Sequence, residues 1–183
     1  MNEYRVSFRY ARAVLDLAKQ EGIADTVLQD LQLIGKSLKH SRDLRAFINN
    51  PVTLQTLKKK VLSEVFESKI NKLTNAFVML ITDKGRESLL QSIAYQYEEQ
   101  YNELNHRMPV EIFTAQEIDE LAQKNMCGRL AKWSGKTILP EFKVDKALLG
   151  GVKIRLSGGR VLDGSVQNQL SKMHKNLIEG GSL

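Results

Sequence analysis

Asn105-His106-Arg107-Met108-Pro109, followed by Val110, Ile112 and Phe113, is where the chain changes its hydrophobic period. Upstream of this stretch, apolar residues recur every three or four positions. Downstream they alternate. Pro109 disfavours continuation of a helix, and the β-branched and aromatic residues after it read as a short strand. The stretch therefore divides 183 residues into a helical part, 1–105, and a mixed part, 106–183. Two small domains fit that length and a large multidomain enzyme does not.

The first part reads as six consecutive helices. Gly22 ends the first, and Asp25 or Thr26 can cap a second that carries Leu28, Leu31, Ile34 and Leu38 at helical spacing. Ser41 caps a third, closed by Asn49-Asn50-Pro51. Thr53 starts a fourth, with Leu57, Val61, Leu62 and Val65 inward. A fifth carries Leu73, Phe77, Leu80 and Ile81 and ends where Gly85 supplies a left-handed residue. A sixth runs from about Glu87 through Ile93, Tyr97 and Tyr101. The implied architecture is mainly α: a six-helix bundle followed by a small α+β domain.

In the second part, Thr114-Ala115-Gln116-Glu117 fits a capping box for a helix that reaches Trp133 and closes at Gly135. Alternating residues then predict strands over 137–144 and 152–156. Ser157-Gly158-Gly159 is a hairpin turn, and Val161 begins the return strand. Asp163-Gly164-Ser165 opens a last helix with Val166, Leu170, Met173 and Leu177 on one side, a stripe that reads as this helix's core face packed on the small sheet.

Local chemistry for an enzyme is missing from the sequence. The three His residues (His40, His106, His174) share no metal-ligand spacing with one another or with Cys127, so no metal is expected. Cys127, the lone cysteine, excludes an internal disulfide, and mid-helix it reads as a packed or half-buried residue rather than a nucleophile. Gly150-Gly151 and Gly158-Gly159 match no phosphate-binding pattern and read as turns. No cofactor is expected. Lys plus Arg number 27 against 21 Asp plus Glu, a net charge of +6. That excess is spread along the chain, and no aromatic residues interleave with it, so nucleic-acid binding is the weaker alternative. No apolar run approaches the ~20 residues of a membrane helix. The first residues lack a contiguous signal-peptide core, and Glu3 and Asp16 are foreign to a transit peptide. A soluble, cytosolic chain is expected.

The first helix carries the sharpest signal. With Val6 at zero and about 100° per residue, Tyr10, Ala13, Leu17 and Val14 fall within about −20° to +80°. Ala18, Ala11, Leu15 and Phe8 fall within about 120° to 200°. Arg5, Arg9, Arg12, Asp16 and Lys19 crowd into the remaining arc. The apolar arc exceeds twice the ~100° that a surface helix needs. Either the helix is buried nearly all round, or one stripe faces the core and the other docks a partner, for which Tyr10 is a suitable interface residue.

In order along the chain stand Tyr10-Ala11-Arg12-Ala13 with Leu17-Ala18, Asn50-Pro51, Lys84-Gly85-Arg86, Leu149-Gly150-Gly151-Val152-Lys153-Ile154 and Val161-Leu162-Asp163-Gly164-Ser165. With these motifs the chain resembles, over nearly its whole length, the delta subunit family of bacterial F-type ATP synthases, equivalent to the mitochondrial oligomycin-sensitivity-conferring protein. The turn Ser157-Gly158-Gly159-Arg160 departs from the family pattern in length and charge. The resemblance implies a non-catalytic stator subunit, peripheral on the cytoplasmic face of the bacterial inner membrane. It implies that the N-terminal bundle grips the N-terminal helix of an alpha subunit between its first and fifth helices. On this sequence that points to Tyr10, Ala13, Val14 and Leu17, with Phe77, Val78 and Ile81 opposite. It further implies that the C-terminal domain binds the b subunits of the peripheral stalk, through Val166, Leu170, Met173 and Leu177. Gly150, Gly151, Asp163, Gly164 and Ser165 would then be structural turn residues.

Overall fold

The computed structural model of the chain describes residues 3–179, with side chains described up to residue 174. The chain divides into two compact units, Met1–Tyr101 and Asn102–Leu183, within one helical turn of the change of period at Asn105.

The first unit is built from α1 (Glu3–Gln20), α2 (Ala24–His40), α3 (Arg42–Asn49), α4 (Gln55–Phe66), α5 (Lys72–Asp83) and α6, which spans Leu90–Leu104 and is preceded by a 3₁₀ turn at Glu87–Leu89. Local chemistry sets several of the ends. Ser41 Oγ accepts from the Leu44 amide at 3.2 Å and starts α3. Asn71 Oδ1 accepts from the Leu73 amide at 2.9 Å and starts α5. Gly85, at φ 62°, turns the chain out of α5. Two expected caps are replaced. No side chain caps α2, because the N-cap position falls on Ile23, and the Asp25 carboxylate, inside the first turn, accepts from the Tyr101 hydroxyl. Helix α4 begins at Gln55 rather than Thr53, after Asn50 Oδ1 has accepted from the Val52 amide at 3.0 Å and formed a side-chain turn across Pro51.

The core gathers Leu15, Leu31, Ile34, Leu62, Ile81, Leu90 and Ile93, all inaccessible to solvent. Tyr97 is buried among them and donates to the Ala24 carbonyl at 3.0 Å, so its polar tip is satisfied. Burial pushes its phenol pKa well above the usual range. Helix α4 turns further than its apolar spacing implies: Leu57 is exposed and Lys58 is buried. Lys58 Nζ lies 2.5 Å from Glu87 Oε1, and this ion pair is what permits a charged residue on the inner face.

In the second unit, β1 (Arg107–Thr114) is central, in a four-stranded sheet of order β2-β1-β3-β4. Strand β2 (Thr137–Val144) lies parallel to β1, with Arg107 opposite Thr137 and Thr114 opposite Val144, and α7 (Glu120–Ser134) makes the crossover that a parallel pair requires. Strand β3 (Val152–Leu156) is antiparallel to β1, and β4 (Val161–Asp163) returns beside it through the glycine turn, Ile154 facing Leu162. Val110, Ile112 and Leu156 share one face of the sheet with Leu130 of α7 and form a small core. Glu111 lies on the other face, bonded to Lys143 at 2.5 Å and to Arg155 at 2.7 Å. Helix α8 (Val166–Glu179) closes the chain.

The expected capping box at Thr114 is a correction. Thr114 is the last residue of β1, and its hydroxyl donates to the Gln116 carbonyl at 2.8 Å. Helix α7 starts five residues later, where Asp119 Oδ1 accepts from the Ala122 amide at 3.0 Å. Pairing to β2 as far as Val144 extends the strand through Thr114 and overrides the local signal. Among the described residues no helix is long and apolar enough to cross a membrane.

Candidate docking site

On α1 the buried residues are Val6, Ser7, Ala11, Val14, Leu15 and Ala18. On the helical wheel Val14, Ser7, Ala18, Ala11 and Leu15 run without interruption from about 80° to about 180°, and Val6 at zero is set apart from them by Tyr10 and Leu17. The wide apolar arc is therefore one broad core face with an apolar margin, not two separate stripes. The margin that stays outside consists of Ala13, which is exposed, Leu17, which is 49% exposed, and the half-buried Tyr10. Beside it runs the polar arc, with Arg5, Arg9 and Arg12 exposed. Arg12 Nε lies 3.2 Å from Asp16 Oδ2 one turn on.

Four of the seven residues expected to meet the partner helix are turned inward. Val14 (2% exposed), Phe77 (8%), Val78 (1%) and Ile81 (0%) belong to the bundle core. The reason lies in α5, whose buried positions Thr74, Phe77, Val78, Ile81 and Thr82 form one continuous face. The face is closed by polar bonds: the Thr74 hydroxyl donates to Asp30 Oδ2 at 2.7 Å and the Thr82 hydroxyl to the Val78 carbonyl at 2.9 Å. What α5 leaves outside is Leu80, 48% exposed.

Helices α1 and α5 nevertheless meet at one point of this margin. The rings of Tyr10 and Phe77 stand edge to face with centroids 6.5 Å apart. Arg86, just past the end of α5, lies over the Tyr10 ring at 5.6 Å, and its Nη1 donates to the Tyr10 hydroxyl at 2.7 Å. The motif Lys84-Gly85-Arg86 carries this residue, but its contact with Tyr10 spans 76 positions, so spacing alone gives it no role.

The second unit presents another apolar surface. Val166, Leu170 and Met173 of α8 are 40%, 52% and 63% exposed, which corrects the reading of this stripe as packed on the sheet. The side chain of Leu177 falls outside the described residues. The start of α8 is held by a clasp between the two glycine motifs. The Gly164 amide donates to the Val152 carbonyl at 2.9 Å and the Val166 amide to the Gly150 carbonyl at 3.0 Å. Gly151 has φ 75°, and a Cβ there would stand 2.4 Å from the Gly164 carbonyl oxygen, so only glycine fits. Asp163 Oδ1 accepts from the Ser165 hydroxyl at 2.7 Å and the Ser165 amide at 3.0 Å, while Ser165 Oγ accepts from the Asn168 amide at 3.1 Å and caps the helix. These bonds, the hydroxyl first, hold the Asp163 carboxyl below its usual pKa.

Among the described residues no three His, Cys, Asp or Glu side chains come together as a metal site. Cys127 is half-buried, and burial pushes its thiol pKa up, away from the thiolate that a nucleophile needs. The arrangement can hold apolar helices.

Comparison with known proteins agrees across both units. The chain is 31% identical over 173 residues to the ATP synthase subunit delta of Desulforamulus reducens, covering 94% of this chain and 95% of that one. It is 32% identical over 182 residues to the ATP synthase subunit delta of Symbiobacterium thermophilum, covering 100% and 97%. In fold it is similar to a chain in the cryo-EM structure of the Toxoplasma gondii mitochondrial ATP synthase hexamer, with a TM-score of 0.71 over 94% of this chain, at 20% identity. The family model described as ATP synthase delta (OSCP) subunit matches residues 6–177, and the chain belongs to that family.

Proposed function

We propose that the chain is the delta-type stator subunit of a bacterial F-type ATP synthase and does no chemistry itself. It ties the catalytic head to the peripheral stalk so that the head does not turn with the rotor. The observation that carries this reading is the family match over residues 6–177, which takes in both units together. The task is mechanical: torque is resisted by binding alone, and a nanomolar contact corresponds to about 12 kcal/mol.

In this reading the alpha-subunit N-terminal helix lies along the margin formed by Tyr10, Ala13 and Leu17, with Phe77 and Arg86 behind it. Helix-in-groove recognition needs apolar anchors at helical spacing, and this margin supplies them at i, i+3 and i+7. The b subunits of the stalk take the α8 stripe of Val166, Leu170 and Met173, whose exposure supports an apolar partner. The chain then sits peripherally at the cytoplasmic face of the inner membrane, held through these partners. Family membership leaves the nucleic-acid alternative without support.

The test is co-isolation. The tagged chain, expressed in its own organism, should bring down the catalytic head and the b subunits from detergent-solubilised membranes. Recovery of neither would sink the stator reading.

A further inference from the structure

Three guanidinium groups frame the α1 margin, and none of them has a carboxylate within 4 Å among the described residues: Arg5, Arg9 and Arg86. Arg9 lies at about 300° on the α1 wheel, next to Ala13 at about 340°, and Arg5 lies behind it at about 260°, one turn nearer the N-terminus. Arg86 stands at the opposite edge, fixed over Tyr10 by its hydrogen bond and ring contact. The margin is thus an apolar strip with cations on both sides. Arg12, the other arginine of the row, already has Asp16.

A segment that covers Tyr10 must also cover part of the half-exposed Arg86. Only one of its five N–H donors is accounted for by Tyr10. Covering the rest with apolar groups would strand a guanidinium away from water, which is costly unless an acceptor comes with the partner. A carboxylate meets that need best, because it accepts a guanidinium in two parallel bonds.

We propose that the segment docking on α1 is an amphipathic helix whose apolar face is bordered by carboxylates, one accepted by Arg86 and others by Arg5 and Arg9. The proposal rests on the docking role given to α1 above and adds the charge that selects the partner. Arg86 is a specificity residue, preset by Tyr10 before the partner arrives. Arg9 and Arg5 lie at the rim and act mainly through attraction at a distance, which salt screens.

The test titrates the full-length chain against the catalytic head of the same organism's ATP synthase, stripped of this subunit. Arg86→Gln is expected to weaken binding by at least about tenfold, the scale of a desolvated charge pair lost at an interface. Arg9→Gln changes an exposed side chain, leaves the bundle intact, and is expected to weaken binding by about twofold to fivefold at low salt and by nothing at high salt. Wild-type affinity should fall between about 50 mM and about 300 mM KCl, and the Arg86→Gln, Arg9→Gln double variant should lose most of that dependence. Lys132→Gln, a charge change on α7 in the other unit, should bind as wild type does. If both arginine variants bind like wild type at both salt concentrations while Leu17→Asp does not bind, the acidic border is wrong and the docking surface stands. If Leu17→Asp binds undiminished, the docking surface itself is wrong, and the acidic border goes with it.

Discussion

Lys58 and Glu87 carry opposite charges into a bundle that otherwise buries hydrocarbon, with side chains only 5% and 8% exposed. Glu87 Oε2 has no hydrogen-bond partner among the described residues, so within the bundle the pair is only partly satisfied. Removing one member leaves an ion with no counter-charge, which is more damaging than removing both. Lys58→Ala should cost about 3–5 kcal/mol of stability, and Lys58→Met combined with Glu87→Gln should recover most of it. Urea unfolding of the two variants measures the difference. A second charged residue ties stability to pH. The folded Asp163 carboxyl titrates below the ordinary 3.8, so its contribution is complete above that value and is lost as pH falls through the depressed folded value. Asp163→Asn keeps an acceptor for Ser165 but no charge. It should flatten the fall in melting temperature between about pH 4 and about pH 2. Flattening should be partial, because Glu103, bonded to Lys136, and Glu111, bonded to Lys143 and Arg155, are depressed in the same direction and keep their own acid dependence. At this scale the sequence is readable where a residue's role is local: Ser41, Gly85 and Gly135 all end or begin helices as their chemistry implies. Lys58 is unreadable, because its partner lies 29 residues away and nothing around it in the chain announces burial.

Elements are decided by the strongest competitor for the backbone. Thr114 and Glu117 have the spacing of a capping box, yet the eight-residue pairing of β1 with β2 claims Thr114 for the sheet. The cap passes to Asp119. Asp119→Ala should therefore destabilise the second unit by about 1 kcal/mol, and Glu117→Ala should leave it unchanged. Chemical denaturation followed by the fluorescence of Trp133, on α7 itself, reads both. The same competition explains the two inaccurate stripes. On α4, apolar spacing favours Leu57, but Lys58 pairs with Glu87 and rotates inward. On α8, apolar spacing is real, but the sheet face that could receive it is already filled by Leu130 of α7. Helix periodicity identifies an apolar face; it cannot say whether the neighbour that covers it belongs to the same chain. The broad arc of α1 has the same ambiguity, resolved only when Val14 proves buried and Ala13 and Leu17 do not.

Across the whole molecule, two units with separate cores carry separate exposed apolar surfaces, and a protein that joins two bodies needs that separation. A change that blocks one surface should leave the other working. Ala13→Asp is the clean case. Ala13 is exposed, so a carboxylate there meets water in the free chain, within reach of Arg9 one turn away. Under a docked helix the same carboxylate loses its water, at a cost of about 1–3 kcal/mol or more. It also opposes an acidic border on the incoming segment. The circular dichroism spectrum and melting temperature of the variant should match wild type. Co-sedimentation should show that the head is lost while the stalk b subunits are retained. Phe77→Asp could not make this distinction, because at 8% exposure it would unfold the bundle and lose the head for that reason alone. Retention of both partners by Ala13→Asp would mean that the head is held elsewhere on the first unit, and the exposed edge of α5 at Leu80 would be the surface to vary next.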